Sequence, residues 1–397
     1  MRRCYAPCTV LGVERFLLEP EALWLLAALS CHRSGYVRAA ALGHLAELDG
    51  DGWALPFALV RLNDWVPAVR ARALDLVQSH LVPERSGRWL ECLPLVMRLE
   101  SWTRADHSAI RRQILESLPV EQLWTALESP ERLLRRALYP ALLERGQREE
   151  VLARALSDPD LVIRLWACRQ EPHSDELLEQ MLASTSAAVR TRGLLQWGRS
   201  HPVPGWARFD PSPSVRQVAR YLEPSLDYRG LYRQAIAEGR QLEVSLAALV
   251  NCGRREDAEL GRALLDHPRP RVRRRALELI AALDLDRSLE LLLERGAYRA
   301  LAPVAGRLDP ADLFARLTPQ NAAPLLALLR QGSKWTGLRY LLQAAPRYHD
   351  EVERELAVWL KQYNLRQIPP TREELAACRA ALGPGRPELR SVLEGWG

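Results

Sequence analysis

The sequence is poor in the residues and patterns that several protein classes require. Only 7 of its 397 residues are cysteine, too few for the disulfide framework of a small secreted domain. The longest early apolar run, Ala22 to Leu29, is too short to span a bilayer. Glu14 and Arg15 interrupt the apolar stretch that a secretory signal needs. These gaps predict a cytoplasmic protein that makes no membrane contact.

Motifs that carry enzyme chemistry are missing as well. The sequence has no phosphate-binding glycine loop, nucleophile elbow, metalloprotease helix or kinase string, and no alternating strand pattern. Cys4, Cys8 and the pair Cys31-His32 match no common zinc spacing. We therefore expect no catalytic residues, no metal ion and no cofactor, which favours a binding protein over an enzyme.

Lysine is nearly absent, because Lys334 and Lys361 are the only lysines among 55 basic residues. The net charge of +6 and the pI of about 9.1 permit an anionic partner without requiring one. Abundant arginine beside abundant alanine, glycine, proline and leucine fits a GC-rich genome. Selection for the bidentate chemistry of guanidinium groups is the alternative explanation.

One string recurs along the chain, and its spacing predicts the architecture. A chain of this length forms several domains or one repeat array. The string is a polar turn followed by a β-branched or leucine residue, an arginine, and then a small residue with leucine. Neighbouring arginines in it lie 24 to 57 residues apart, and a period in the high twenties to thirties is one helical hairpin. These repeat arginines are Arg38, Arg70, Arg111, Arg135, Arg164, Arg190, Arg216 and Arg273.

The string also predicts how each of these helices packs. Val69, Ala73, Leu74 and Val77 fall on one apolar arc of a helix. The arginine lies inside that arc, so it is partly covered and needs an acceptor. Aspartates in the turns are placed to N-cap these helices and to accept from the arginines. The predicted structural ladder comprises Asp64, Arg70, Asp106, Arg111, Asp158, Arg164, Arg190, Asp210, Arg216, Asp266 and Arg273.

The string Asp-x-x-Pro-x-Val-Arg-x-x-Ala-Leu, read at Asp64 to Leu74, resembles the HEAT repeat, particularly the short variety of phycobilin lyases and many bacterial scaffold proteins. The resemblance implies an all-α fold, an α-solenoid of tandem helical hairpins in a right-handed superhelix, with the second helix of each pair on the concave face. Departures occur at Arg220, where leucine is expected, and between Tyr228 and Asp257, where the Val-Arg pair is missing. The predicted organisation is an N-terminal segment 1–19, a repeat array 20–283, divergent repeats 284–349, and a C-terminal helical cap and tail 350–397.

A second set of arginines falls outside the buried arc and projects to solvent. Two interpretations stay open: an ordinary solvated helix face, or an anion-binding groove along the concave side. Trp65 and Trp102 precede their helices and are candidate contact residues. The outward arginines are Arg72, Arg112, Arg136, Arg192, Arg274 and Arg275.

The leading functional hypothesis is a non-catalytic scaffold or adaptor that binds a protein or peptide partner on the concave face. The first alternative is nucleic-acid binding or DNA repair, because one family of bacterial DNA glycosylases is built of HEAT-like repeats around a basic groove. The second alternative is a phycobilin-lyase-like protein, which the short repeat alone suggests. Fold resemblance is the main support for each of them.

Overall fold

The computed structural model describes residues 21–362, 368–383 and 385–396, and these residues are all-α. They form 25 α-helices with short 3₁₀ turns and contain no strand. The predicted N-terminal segment 1–19 lies outside the described residues. Contacts divide the chain into two compact units, 1–202 and 203–397. This division falls inside the predicted array 20–283 and does not coincide with the predicted boundaries at 283 and 349.

The first unit is a succession of short helices in which neighbours along the chain pack together. The stretches between them are mostly a few residues long, as expected for helical hairpins. The helices are α1 Glu21–Leu29, α2 Gly35–Leu48, α3 Leu55–Arg61, α4 Pro67–Ser79, α5 Ser86–Arg98, α6 Ser108–Ser117, α7 Val120–Ala126, α8 Arg132–Glu144, α9 Arg148–Leu156, α10 Leu161–Ala167, α11 Asp175–Leu182 and α12 Ala187–Trp197.

The second unit continues with the same short helical elements. Its helices are α13 Pro213–Leu222, α14 Tyr228–Ala237, α15 Leu242–Cys252, α16 Ala258–Arg262, α17 Pro270–Leu283, α18 Leu285–Glu294, α19 Tyr298–Leu301, α20 Pro310–Ala315, α21 Ala322–Gln331, α22 Lys334–Ala344, α23 His349–Leu360, α24 Arg372–Ala381 and α25 Pro387–Glu394. Three helices that carry the recurring string, α4, α13 and α17, begin with proline, whose fixed φ suits the first helical position.

The buried face of α4 follows the predicted arc. Val69, Ala73 and Val77 are fully buried, while Leu74 is half-buried at the margin of the core. The same positions of α17 repeat this arrangement, with Val272, Ala276 and Ile280 fully buried and Leu277 half-buried. Burial of these apolar residues stabilises the packing of α4 within the first unit and of α17 within the second.

The C-terminal end differs from its prediction at the tail. The capping box at Thr371 forms, since the Thr371 hydroxyl accepts from the Glu374 N–H and the Glu374 carboxylate accepts from the Thr371 N–H. The segment beyond this helix, predicted only as a tail, contains a further helix. α25 occupies it, and Leu389 and Leu393 are almost fully buried there, so apolar burial keeps the segment helical.

Candidate functional site

Six of the eight repeat arginines cap the carbonyls of the turn that precedes their own helix. In each, Nη1 donates to the backbone carbonyl six residues earlier, and in four of the six also to the next carbonyl. Arg216, for example, bonds the carbonyls of Asp210 at 2.7 Å and Pro211 at 3.0 Å. These carbonyls have no partner within a helix, so the arginine satisfies groups that would otherwise be left open. The six arginines are Arg38, Arg70, Arg135, Arg190, Arg216 and Arg273.

Seven of the eight turns that precede a repeat arginine share one backbone geometry. Their N-cap residues have φ between −75° and −92° and ψ between 108° and 127°. In each turn a polar side chain, six residues before the arginine, accepts from the N–H of the N-cap residue. The accepting residues are His32, Asp64, Ser129, Asp158, Ser184, Asp210 and His267. The recurring sequence string therefore corresponds to a recurring local structure in both units.

The expected N-cap role of the turn aspartates is wrong. Asp64 lies two residues before its N-cap, Val66, and its carboxylate accepts the N–H of Val66 itself. Asp158 and Asp210 make the same contact with Asp160 and Ser212. Because the aspartate stands two residues before the N-cap, its carboxylate does not reach the second or third helical N–H. It forms an Asx turn instead.

Two turn aspartates also join neighbouring repeats in the first unit. Arg38 donates through Nε and Nη2 to the two carboxylate oxygens of Asp64, both at 2.8 Å. Arg135 binds Asp158 in the same manner at 3.0 and 3.3 Å. Burial raises the pKa of the Asp64 carboxyl, but the bonds from Arg38 and Val66 and the charges of Arg38 and Arg61 outweigh burial and hold its pKa below 3.8. The fork of these arginines is thus used inside the protein.

Other members of the predicted ladder find different partners. The turn before α6 is displaced by one residue, since its N-cap, His107, has φ −106° and ψ 4°. Asp106 is exposed and accepts only from the Ser108 N–H, and Arg111 pairs with Glu144 at the far end of α8. Arg164 reaches the Thr185 hydroxyl at 3.5 Å. Asp266 is exposed and pairs with Arg295.

The outward arginines divide into two groups. Arg72, Arg112 and Arg192, all in the first unit, are exposed and make no hydrogen bond or ion pair with any residue that the structure describes. Arg136 instead pairs with Asp160 at 2.7 Å. Both Arg274 and Arg275 pair with Glu278, at 3.4 and 2.5 Å. Half of the predicted set is therefore neutralised by the chain's own carboxylates.

The two predicted tryptophans occupy different environments. Trp65 is 68% exposed, and the guanidinium of Arg38 lies 5.7 Å from its ring centroid. Trp102 is half-buried, packs against the core of the first unit and meets His107 edge-on at 6.2 Å. Trp65 is consequently the one available to a partner.

Sequence analysis missed a row of exposed apolar residues at the second position of three repeat helices. Tyr36 is 91% exposed, and Leu133 and Val162 are each more than half exposed. All three stand two residues before the repeat arginine. An apolar residue just ahead of the buried Val-Arg position is the signal that could have revealed them, because a helix turns that position away from the core.

Metal-ligating side chains and cysteines occur across the described residues. Those residues contain no group of three or more histidine, cysteine or acidic side chains placed to hold a metal ion. Burial raises the pKa of the Cys92 thiol to about 12 and those of Cys168 and Cys378 to about 11, which leaves these thiols protonated and unreactive. No helix among the described residues is both long and apolar enough to cross a membrane.

Comparisons with known proteins assign neither a family nor a function. No protein-family model matches the sequence, and no curated protein matches it. One similar solved structure is the crystal structure of an engineered protein from a structural genomics consortium, 16% identical over 94% of this chain and 97% of that one, with a TM-score of 0.20. At that TM-score the similarity carries no argument about the fold or the function.

Proposed function

We propose that this protein is a HEAT-like α-solenoid that binds a protein or peptide partner without catalysis. The supporting observation is the exposed face of the repeat helices in the first unit. Tyr36, Leu133 and Val162 each stand two residues before a repeat arginine and are exposed. Arg72 and Arg192 stand two residues after one and Arg112 directly after one, and these three arginines are exposed with no ion pair among the described residues. Exposed aromatic and aliphatic groups next to arginine are the composition that protein interfaces favour.

The repeated turn supports the solenoid part of the proposal. Seven turns with one backbone geometry place seven helices in the same relation to the turn before them. The residues on the exposed arc of each helix then recur at the same positions, which gives a repeat protein an extended binding face.

Acidic residues on the same face favour a protein partner over nucleic acid. Asp75 follows Arg72 by three residues and Glu116 follows Arg112 by four, and both acids are exposed. A groove that tracks phosphates concentrates positive charge, because each neutralised phosphate contributes to affinity. A mixed-charge surface with apolar side chains suits the mixed surface of a protein or peptide better.

The test combines affinity capture with variants of this face. The triple variant Tyr36→Ala, Leu133→Ala and Val162→Ala is compared with the wild type and with a control variant, Tyr221→Ala and Val358→Ala, which removes exposed apolar groups of the second unit. We expect proteins captured by the wild type and the control to be lost from the triple variant. A captured protein is then purified, and its affinity for all three forms is measured directly.

The nucleic-acid alternative is measured in parallel by fluorescence anisotropy with labelled duplex DNA. We expect only weak binding with little difference between the wild type and an Arg72→Ala, Arg112→Ala, Arg192→Ala variant. Tight DNA binding that weakens at least about a hundredfold between roughly 50 and 200 mM salt, and that the arginine variant abolishes, would contradict the proposal.

A further inference from the structure

A cavity in the second unit gathers four arginines without an acidic residue among its lining. Its volume is ≈ 470 Å³, and it lies at α17, α19 and the turn between α18 and α19. Proline, leucine, alanine and tyrosine side chains complete the wall. The four arginines are Arg273, Arg274, Arg295 and Arg299. A positively charged cavity with an apolar wall selects an anionic group attached to apolar neighbours.

Carboxylates outside the cavity neutralise only two of these arginines. Arg295 pairs with Asp266 at 2.8 Å, and Arg274 pairs with Glu278 at 3.4 Å. Both pairs are largely exposed, so they are weak and open easily. Arg299 is exposed and has no ion pair within the described part of the chain. The lining therefore holds at least two positive charges that the described carboxylates do not balance.

Arg273, which lines this cavity, has an unused fork. Its Nη1 caps the carbonyls of His267 and Pro268, as in the other turns. Its Nε and Nη2 have no acceptor among the residues that the structure describes. In Arg38 and Arg135 the same two atoms hold the carboxylate of a turn aspartate in the following repeat. This chain thus shows twice which group that edge of a repeat arginine binds.

The following turn of the second unit cannot supply that carboxylate. It consists of Arg295, Gly296 and Ala297, which line the cavity together with Arg273. Gly296 has φ +63°, so this turn also departs from the extended geometry of the aspartate turns. Where Arg38 and Arg135 bind an aspartate of the following turn, Arg273 lines a cavity together with three further arginines.

We propose that this cavity binds the carboxylate side chain of an acidic protein segment. The carboxylate docks on Nε and Nη2 of Arg273, and Arg299 and Arg295 add charge. Apolar side chains flanking the acid pack against Pro270, Leu277 and Pro324. Two planar oxygens match the guanidinium fork, and the internal pairs of this chain are of this kind. This inference rests on the proposed function and deepens it, because it names the chemistry of the partner.

A synthetic peptide tests the proposal on the full chain. The probe is a fluorescein-labelled peptide of alternating glutamate and leucine, and its control replaces each glutamate by glutamine. We expect fluorescence anisotropy to show binding of the glutamate peptide that is at least about tenfold tighter than binding of the glutamine peptide. We expect Arg299→Glu to weaken the glutamate peptide at least about tenfold.

Two further variants separate the cavity from general charge and from folding. Arg287→Glu makes the same charge change at an exposed residue of α18 outside the cavity, and we expect its affinity to stay within about twofold of the wild type. Arg273→Lys keeps the charge but loses the fork, so we expect weaker binding. Because Arg273 also caps a turn, the melting temperature of the Arg273→Lys variant is measured as well. If that variant is unfolded, the affinity of the Arg299→Glu variant alone tests the proposal.

Three results would overturn this proposal. One is that the glutamate peptide does not bind at concentrations up to about 1 mM, since a dissociation constant larger than this is too weak for a specific site. Another is equal weakening by Arg299→Glu and Arg287→Glu. The third is displacement of the peptide by a single-stranded oligonucleotide at a lower concentration than by unlabelled glutamate peptide, which would assign the cavity to phosphates. None of these depends on Tyr36, Leu133 or Val162, so failure here is distinguishable from failure of the proposed function.

Discussion

Two repeat arginines of the first unit use their side chains differently from two of the second unit. In the first unit, Arg38 and Arg135 cap their own turns with Nη1 and hold the next turn's aspartate with Nε and Nη2. In the second unit, Arg216 and Arg273 cap their turns in the same way, but their Nε and Nη2 meet no acceptor within the described residues. The bond from Nη1 to the turn carbonyl is common to both units. The Nε and Nη2 edge of the guanidinium is a separate feature, which binds a carboxylate in some repeats and has no acceptor in others.

The second unit does not lack buried carboxylates. Asp257 is fully buried and accepts from Arg229 and Arg233, and Asp284 accepts from Arg255 and Arg262. These arginines lie outside the recurring string. These two carboxylates are thus bound by arginines of other helices, while Arg216 and Arg273 keep a free edge. An identical sequence string therefore does not guarantee an identical pairing.

The largest expected effect comes from removing the guanidinium in each unit. Arg38→Gln leaves the buried Asp64 without its main partner, and we expect a loss of about 3–5 kcal/mol in the free energy of unfolding. Arg273→Gln removes only the bonds to two turn carbonyls, and we expect a loss of about 1 kcal/mol. Urea unfolding monitored by circular dichroism measures both. Equal losses would show that the fork contributes nothing in the first unit.

Acid should remove a smaller part of this stability in both units. The folded-state pKa of Asp64 and that of Asp257 lie below the ordinary value of 3.8, because their arginine partners outweigh the effect of burial. Each aspartate therefore stabilises the fold fully above that value, and this contribution is lost as the pH falls through the lower folded-state pKa.

Variants assign this pH dependence to particular residues. We expect the difference in free energy of unfolding between the wild type and Asp64→Asn to be constant from about pH 5 to 7 and to shrink below about pH 4. Asp257→Asn should behave alike. A difference that did not change with pH would mean that the charge of the carboxylate is irrelevant to stability.

A last variant tests how closely neighbouring turns pack in the first unit, with an expected effect smaller than that of Arg38→Gln. A Cβ added at Gly35, the first residue of α2, would lie 2.9 Å from Cγ2 of Val66 in the following turn. We expect Gly35→Ala to cost about 1–3 kcal/mol through overpacking. Adding Val66→Ala should recover part of that cost. Thermal melts of the two single variants and the double variant measure the coupling, and simple additivity of the losses would argue against the contact.

The sequence predicted the helices well where the string was complete. The spacing of Val69, Ala73 and Val77 was sufficient to place the buried face of α4, because helical periodicity depends on the local chain alone. The same reasoning placed Arg216 at the margin of the core, where it is indeed almost fully buried. Local geometry was therefore accessible from residue order.

The sequence did not predict which arginine pairs with which carboxylate, because that depends on which helices lie side by side. Nothing in the sequence indicated that Arg111 would meet Glu144, or that Asp266 would remain exposed with Arg295. The turn at His107 is displaced by one residue, so its aspartate, Asp106, accepts the N–H of the first helical residue, Ser108, and not that of the N-cap. The cavity at Arg273 lies where the turn between α18 and α19 lacks an aspartate, and no sequence motif marks a missing residue.

In six repeats, the bond from the arginine to the carbonyl six residues earlier makes the turn a self-contained unit. Both partners of that bond lie within one short stretch, so the stretch carries its own backbone cap wherever it is moved. A graft of Asp64 to Arg70 into the site of Gly296 should bring a capped turn without any help from the host helices. Such a stretch with aspartate at its first position also offers a carboxylate to the preceding repeat arginine, as Asp64 does for Arg38.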